Sequence, residues 1–169
     1  MKNILFLTTL FYSFFLKSEE QCKFISTTTN DEVTYTEQKS IKVEDVNGHF
    51  IRIFKTETNH KNSKKNCEGL KVKQTLFFGI SDYINKNGKV RGYSVGIYDD
   101  GSKIFSYLDG ISQTPDDLTK NGIVTSTITI TGGTGIYKGV IGYGKNKTEF
   151  NPETGYSSGT TKTYYSINK

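Results

Sequence analysis

Ile128–Gly144, ITITGGTGIYKGVIGYG, decides the fold. Six glycines, Gly132, Gly133, Gly135, Gly139, Gly142 and Gly144, stand in a run of Ile, Thr, Tyr and Val. Each glycine inside a helix costs about 1 kcal/mol against Ala, while the β-branched and aromatic flanks favour extended backbone. The stretch predicts strand, glycine reversal, strand. Gly132, Gly133, Gly135 and Gly139 are the structural glycines of the hairpin, with the reversal expected at or beside Gly132–Gly133. The later glycines are expected where the second strand bends or another backbone approaches closely.

Working outward, the chain keeps the same rhythm. Leu70–Ile80 alternates, with Leu70, Val72, Leu76, Phe78 and Ile80 on one parity and Lys71, Lys73 and Thr75 on the other. That pattern predicts a strand with one buried face. Asn47-Gly48, Asn87-Gly88, Asp100-Gly101 and Asn121-Gly122 are turn signals. They separate strand-like runs at 49–58, 90–98, 102–108 and 123–131, with shorter pieces at 33–36 and 41–43 and a last run at 156–167. No stretch carries a helical period. About eight strands joined by short turns form an antiparallel meander, and closure of a meander removes its exposed edges. The expected fold is therefore all-β, a small up-and-down barrel, with a β-sandwich as the alternative.

The first residues are set apart from this pattern. Lys2 precedes an apolar run from Ile4 to Leu16, which Lys17, Ser18, Glu19 and Glu20 end. Thirteen residues are too few to span a bilayer, which needs about 20, and they match the core of a signal peptide. The organisation expected is a signal peptide at 1–18, a polar, Thr-rich lead-in at 19–32 and one barrel domain at 33–169, exported to the periplasm or the medium. The alternatives are a buried element or an uncleaved anchor. Glu19, Glu20 and Gln21 are wrong for a lipoprotein site at Cys22. Loss of residues 1–18 lowers Lys plus Arg from 22 to 20 against 17 acids, so the net charge falls from +5 to +3. That balance gives no argument for nucleic acid as a partner. Cys22 and Cys67 are the two cysteines. In an exported chain such a pair suggests a disulfide; the alternative is two free thiols.

Ile130–Gly139, ITGGTGIYKG, followed by Gly142, resembles the signature hairpin of the allene oxide cyclase-like and dirigent-like barrels. Tyr98-Asp99-Asp100-Gly101-Ser102 is similar to the hairpin found upstream in secreted bacterial relatives. The resemblance covers roughly residues 90–167. It implies a small antiparallel β-barrel. It also implies, for the cyclases, a carboxylate and an amide that polarise an epoxide, and for the dirigent proteins, acidic residues that orient phenoxy radicals. No matching functional motif stands in this sequence. Glu37 and Glu44, in the early strands, are the candidate catalytic carboxylates.

Other chemistry is thinly represented. The glycine run lacks the GK[ST] and helix of a phosphate loop. His49 and His60 lie in no metal-ligand spacing, and no GxSxG elbow is present, so neither a metal nor a cofactor is expected. Lys55, Lys61, Lys64, Lys65, Lys71 and Lys73 form the densest basic region, which reads as a solvated loop or as an anion-binding surface. Asn146-Lys147-Thr148 fits a glycosylation sequon. The aromatic residues, Phe78, Tyr93, Tyr98 and Tyr137 among them, are expected either to pack the core or to line a cavity for a small apolar ligand. Gln74, polar on the apolar parity of its strand, needs a partner or a wet cavity. Gln74, Phe78, Tyr93 and Tyr98 are the expected ligand-binding residues. Two functions compete: a non-catalytic exported barrel that binds a small apolar or amphipathic molecule or serves a structural role, and a cyclase or dirigent-type enzyme. A third, an adhesion module, would need a large exposed apolar patch. An inward-facing carboxylate distinguishes the enzyme.

Overall fold

The computed structural model describes residues 21–117, 119–151 and 153–168; the expected signal peptide lies outside them. Nine strands form one antiparallel sheet: β1 Cys22–Thr29, β2 Val33–Lys42, β3 His49–Asn59, β4 Val72–Ile84, β5 Asn87–Tyr98, β6 Lys103–Gln113, β7 Gly122–Thr134, β8 Val140–Phe150 and β9 Ser157–Ile167. Two 3-10 turns, Asn30–Glu32 and Gly135–Tyr137, complete the described elements. Among those residues no helix is long and apolar enough to cross a membrane.

The sheet order is β1-β9-β8-β7-β6-β5-β4-β3-β2. Every neighbouring pair is antiparallel. Eight such reversals separate β1 from β2, so the two run in the same direction. Residues 22–42 therefore act as one bent strand, whose first half pairs with β9 and whose second half pairs with β3. This closes the meander into a barrel of eight strand positions. Glu32 secures the bend: its carboxylate accepts hydrogen bonds from the Thr29 N–H at 3.1 Å and from the Lys61 N–H at 2.8 Å. The stretch expected as a polar lead-in thus supplies a barrel strand. Cys22 and Phe24 face the core, Ser26 and Thr28 continue the inward face, and Lys23 and Ile25 face out.

The reversal falls beside Gly132–Gly133 and not at them. Gly132 and Gly133 lie within β7, beyond a bulge that the register shift between Phe105 and Ser106 produces opposite Thr131. The chain turns at Gly135–Gly139, where φ is +62° at Gly135 and +81° at Gly139, a region that costs other residues about 1–2 kcal/mol.

A second bulge changes which face of β4 is buried. The register shifts between Val72 and Gln74. One extra residue exchanges the two faces of everything that follows. Phe77, Gly79, Ser81 and Tyr83 consequently turn inward, while Leu76, Phe78 and Ile80 turn outward. Phe78 is 45% exposed and Ile80 42%. The apolar core is concentrated at one end of the barrel, where Cys22, Phe24, Val72, Ile104, Ile130 and Val140 surround three tyrosines. Along the rest of the interior, Thr56, Ser81, Ser106, Ser112 and Ser126 are buried beside apolar neighbours.

Candidate functional site

Inward-facing side chains from all nine strands line one cavity of about 380 Å³, within the range of small-molecule sites. Its lining combines aromatic rings, aliphatic side chains and twelve Ser and Thr residues, with Arg52 and His60 as the basic groups. No Asp or Glu belongs to that lining among the described residues.

A tyrosine cluster closes one end. Tyr98 ends β5, Tyr165 lies near the end of β9, and Tyr137 comes from the turn between β7 and β8. Ring centroids are 4.5 Å apart for Tyr98–Tyr137 and 6.3 Å for Tyr137–Tyr165. Tyr137 is 0% exposed and Tyr165 1%. The reach of Tyr137 into the barrel mouth explains the glycine-rich hairpin: Gly135 and Gly139 bracket it. At Gly133 a β-carbon would come within 2.7 Å of the Tyr137 carbonyl.

The lysine-rich loop between β3 and β4 folds over this end as a lid. Asn66 Nδ2 donates to the Tyr137 hydroxyl at 2.5 Å and to the Tyr165 hydroxyl at 3.1 Å. The Tyr165 O–H donates to Glu68 Oε2 at 2.5 Å. Between those residues Cys67 is joined to Cys22, with the Cα atoms 6.0 Å apart, so the expected disulfide ties the lid to the start of β1. Burial raises the Tyr98 and Tyr165 hydroxyls far above the ordinary phenol range; the neighbouring Tyr137 adds to the first, and the Glu68 carboxylate to the second. Burial likewise pushes Tyr137 up to about 12. All three therefore stay protonated at neutral pH, acting as hydrogen-bonding groups and not as phenolates.

Two other polar positions define the cavity wall. His60 Nε2 lies 2.8 Å from Thr75 Oγ1, and burial lowers its pKa, favouring the neutral ring. The Arg52 guanidinium stands over the rings of Phe54, at 4.5 Å, and Tyr35, at 5.3 Å. That is cation–π range. It places one positive charge on an otherwise uncharged aromatic wall. Ser126 Oγ is buried without a hydrogen-bond partner among the described residues.

Of the ligand-binding residues expected from sequence, Tyr98 lines the cavity. Phe78 and Tyr93, paired across β4 and β5, face outward, Tyr93 being 61% exposed. Gln74 lies on the outer face as well, where its amide donates to Glu57 Oε2 at 3.4 Å. Glu37 is exposed beside Lys55, and Glu44 is exposed in the turn before β3. Neither carboxylate reaches the cavity. The bulge at Lys73 is the cause for Gln74 and Phe78, since it reverses the parity on which both were read. Asn146, the sequon asparagine, points inward: its Nδ2 donates to Thr161 Oγ1 at 3.0 Å, which removes it from a glycan's reach.

Arg52, Phe54, Ser106 and Tyr165 line the site without having been singled out in the sequence. Their signal was present as a second parity. His49–Asn59 alternates Arg52, Phe54, Thr56 and Thr58 against Ile51, Ile53, Lys55 and Glu57, and either set could face inward.

No family model matches the sequence, and no curated protein matches it. Among solved structures, the pterocarpan synthase dirigent protein PsPTS1 superposes with a TM-score of 0.54 at 15% identity. The match covers 89% of this chain and 97% of that one. The pterocarpan synthase dirigent protein GePTS1 gives 0.50 at 12%, over 96% and 98%. The fold is dirigent-like. At this identity the likeness is one of fold, and the dirigent-like barrel of this chain carries its own lining. The tyrosine lid with Asn66 and Glu68, the cation–π wall at Arg52 and the Ser/Thr-rich interior are read from this chain's own residues.

Proposed function

We propose that this dirigent-like barrel is an exported binding protein that holds one small amphipathic molecule, apolar or aromatic with a few hydroxyl or acidic groups, and does no chemistry on it. One observation carries this reading: the cavity offers aromatic faces, hydroxyls and the Arg52 cation, but no lining carboxylate among the described residues. General acid–base catalysis needs a group within hydrogen-bond reach of the reacting atom; His60, the lining group most suited to it, has its Nε2 engaged with Thr75 Oγ1 at 2.8 Å. The hydroxyls and Ser126 Oγ instead supply neutral hydrogen bonds, and Arg52 suits an acidic or electron-rich end. The disulfide between Cys22 and Cys67 supports an oxidising, extracytoplasmic location.

The second reading is a dirigent or cyclase-type enzyme, steering coupling or ring closure by holding one substrate conformation. The Tyr165–Glu68 contact favours it, because it brings a carboxylate to the end of the cavity. The hydroxyl, however, donates toward Glu68 in the lid.

The test is native mass spectrometry of protein purified from its own host, before and after denaturation. The binding reading expects one released species of constant mass, and its loss in Ser106→Trp, which fills the middle of the cavity. Wild-type protein carrying no molecule would overturn it. Release of a product differing from the molecule supplied would replace it with the enzyme reading.

A further inference from the structure

The outer face of β5–β9 carries a second concave site, which shares only Ser126 and Asn146 with the lining of the interior cavity. Its volume is about 820 Å³, and its lining includes Lys89, Lys145, Lys147 and Lys162 among Thr125, Thr127 and Thr160. Asp109 is the one acid in that lining, so the groove has a charge excess of three positives. Lys145 and Lys162 are direct cross-strand partners. Like charges directly opposite one another destabilise a sheet. Among the described residues no carboxylate lies within ion-pair distance of Lys89, Lys145 or Lys162, and only Lys147 is paired, with Glu149 at 2.9 Å.

A second observation lies one outward-facing step along the same strands. Tyr93 pairs with Tyr107, and Tyr143 with Tyr164. The ring centroids are 5.2 Å apart in the first pair and 5.3 Å in the second, with Tyr143 and Tyr164 stacked at 21°. Tyr143 is two residues from Lys145, and Tyr164 two from Lys162, roughly 7 Å along a strand. Tyr107 and Tyr143 stand two strands apart, roughly 10 Å, the length scale of a disaccharide. Exposed flat rings stack on pyranose faces, threonine hydroxyls exchange hydrogen bonds with sugar hydroxyls, and lysines meet carboxylate or sulfate groups.

From this juxtaposition we infer that the outer groove binds an anionic polysaccharide, with the chain lying across β6–β9, its rings on the tyrosines and its acid groups on Lys145 and Lys162. The lysines and tyrosines named here lie outside the lining of the interior cavity.

The experiment measures binding of the full mature chain, by biolayer interferometry, to polygalacturonate and dextran sulfate, with neutral dextran and phosphatidylglycerol vesicles in parallel. Wild-type protein is expected to bind the two anionic glycans more weakly as salt rises, and to leave neutral dextran unbound. Lys145→Gln/Lys162→Gln removes two charge-assisted contacts and should weaken binding by about tenfold or more, with a shallower salt dependence. Tyr143→Ala should weaken binding at every salt concentration. Lys64→Gln/Lys65→Gln, in the lid loop, should bind as wild type does. Unchanged thermal midpoints separate binding loss from misfolding. The inference is overturned by no binding to either anionic glycan, by equal loss in the lid-loop variant, or by vesicle binding with the same residue dependence.

Discussion

Removing the disulfide by Cys22→Ala/Cys67→Ala tests how the lid is held. The bond spans a sequence separation of 45. In the chain-entropy account, a cross-link closing a loop of that size removes about 13–14 cal/mol/K from the unfolded chain, or about 4 kcal/mol at 25 °C. A single domain is stable by only roughly 5–15 kcal/mol, so this is a large share. For a chain of this length it corresponds to a fall in Tm of roughly 8–16 °C. The folded state should change little. Asn66 and Glu68, which flank Cys67, hold the lid on Tyr137 and Tyr165 through their own hydrogen bonds. Alanine at position 22 also keeps most of the small apolar volume of a buried cysteine. Urea denaturation should therefore show a lower midpoint together with a larger m-value, because the unfolded chain expands once untied. Near-UV circular dichroism of the tyrosines under native conditions should match wild type. A loss below about 1 kcal/mol would refute the entropic argument. A full loss accompanied by a changed tyrosine spectrum would show that the bond acts on the native lid instead.

Three further outcomes follow from particular contacts. Gly139→Ala places a β-carbon 2.3 Å from the Asn168 carbonyl at φ +81°, whereas at Gly69, with φ +78°, nothing lies within 4 Å. In urea the first should lose more than the roughly 1–2 kcal/mol of backbone strain expected for the second; equal losses would show that the close approach costs nothing. Asn66→Ala removes the amide donor from the buried Tyr137 hydroxyl, while Tyr165 keeps its bond to Glu68, and should cost roughly 1–3 kcal/mol in thermal denaturation, with a negligible loss showing that water replaces the amide. His49 has one ring nitrogen 2.7 Å from Asp82 and the other 2.7 Å from Asp45. The hydrogen bond to Asp82, then that to Asp45, raises its pKa above 6.5. Its stabilisation is thus present in full below pH 6.5 and is lost as pH rises through the raised folded value. In an NMR titration, Asp82→Asn should bring His49 back toward 6.5, and an unmoved titration would show that the contact does not govern it.

Extended backbone, reversal chemistry and the number of strands were legible along the chain because they are local. So many glycines exclude an α-helix around Gly135 and Gly139, Asp100-Gly101 is a turn signal by its own chemistry, and alternation of period two marks a strand whatever it packs against. The pairing of Cys22 with Cys67 was also within reach, since two cysteines in an oxidised chain leave one partner each. Which face of each strand points inward was not legible. Parity is a relative property, and one bulged residue, Lys73 in β4, reverses it, sending Phe78 and Gln74 outward and Phe77 and Ser81 inward. The usual cue, apolar in and polar out, fails here because the barrel interior holds Ser and Thr hydroxyls around a cavity, while Ile53, Phe78 and Tyr93 lie on its outside. The lid, too, was beyond the sequence. Asn66 and Tyr137 are 71 residues apart, and Glu68 and Tyr165 are 97 apart; only closure of the barrel by the bent strand 22–42 brings their polar atoms within bonding distance.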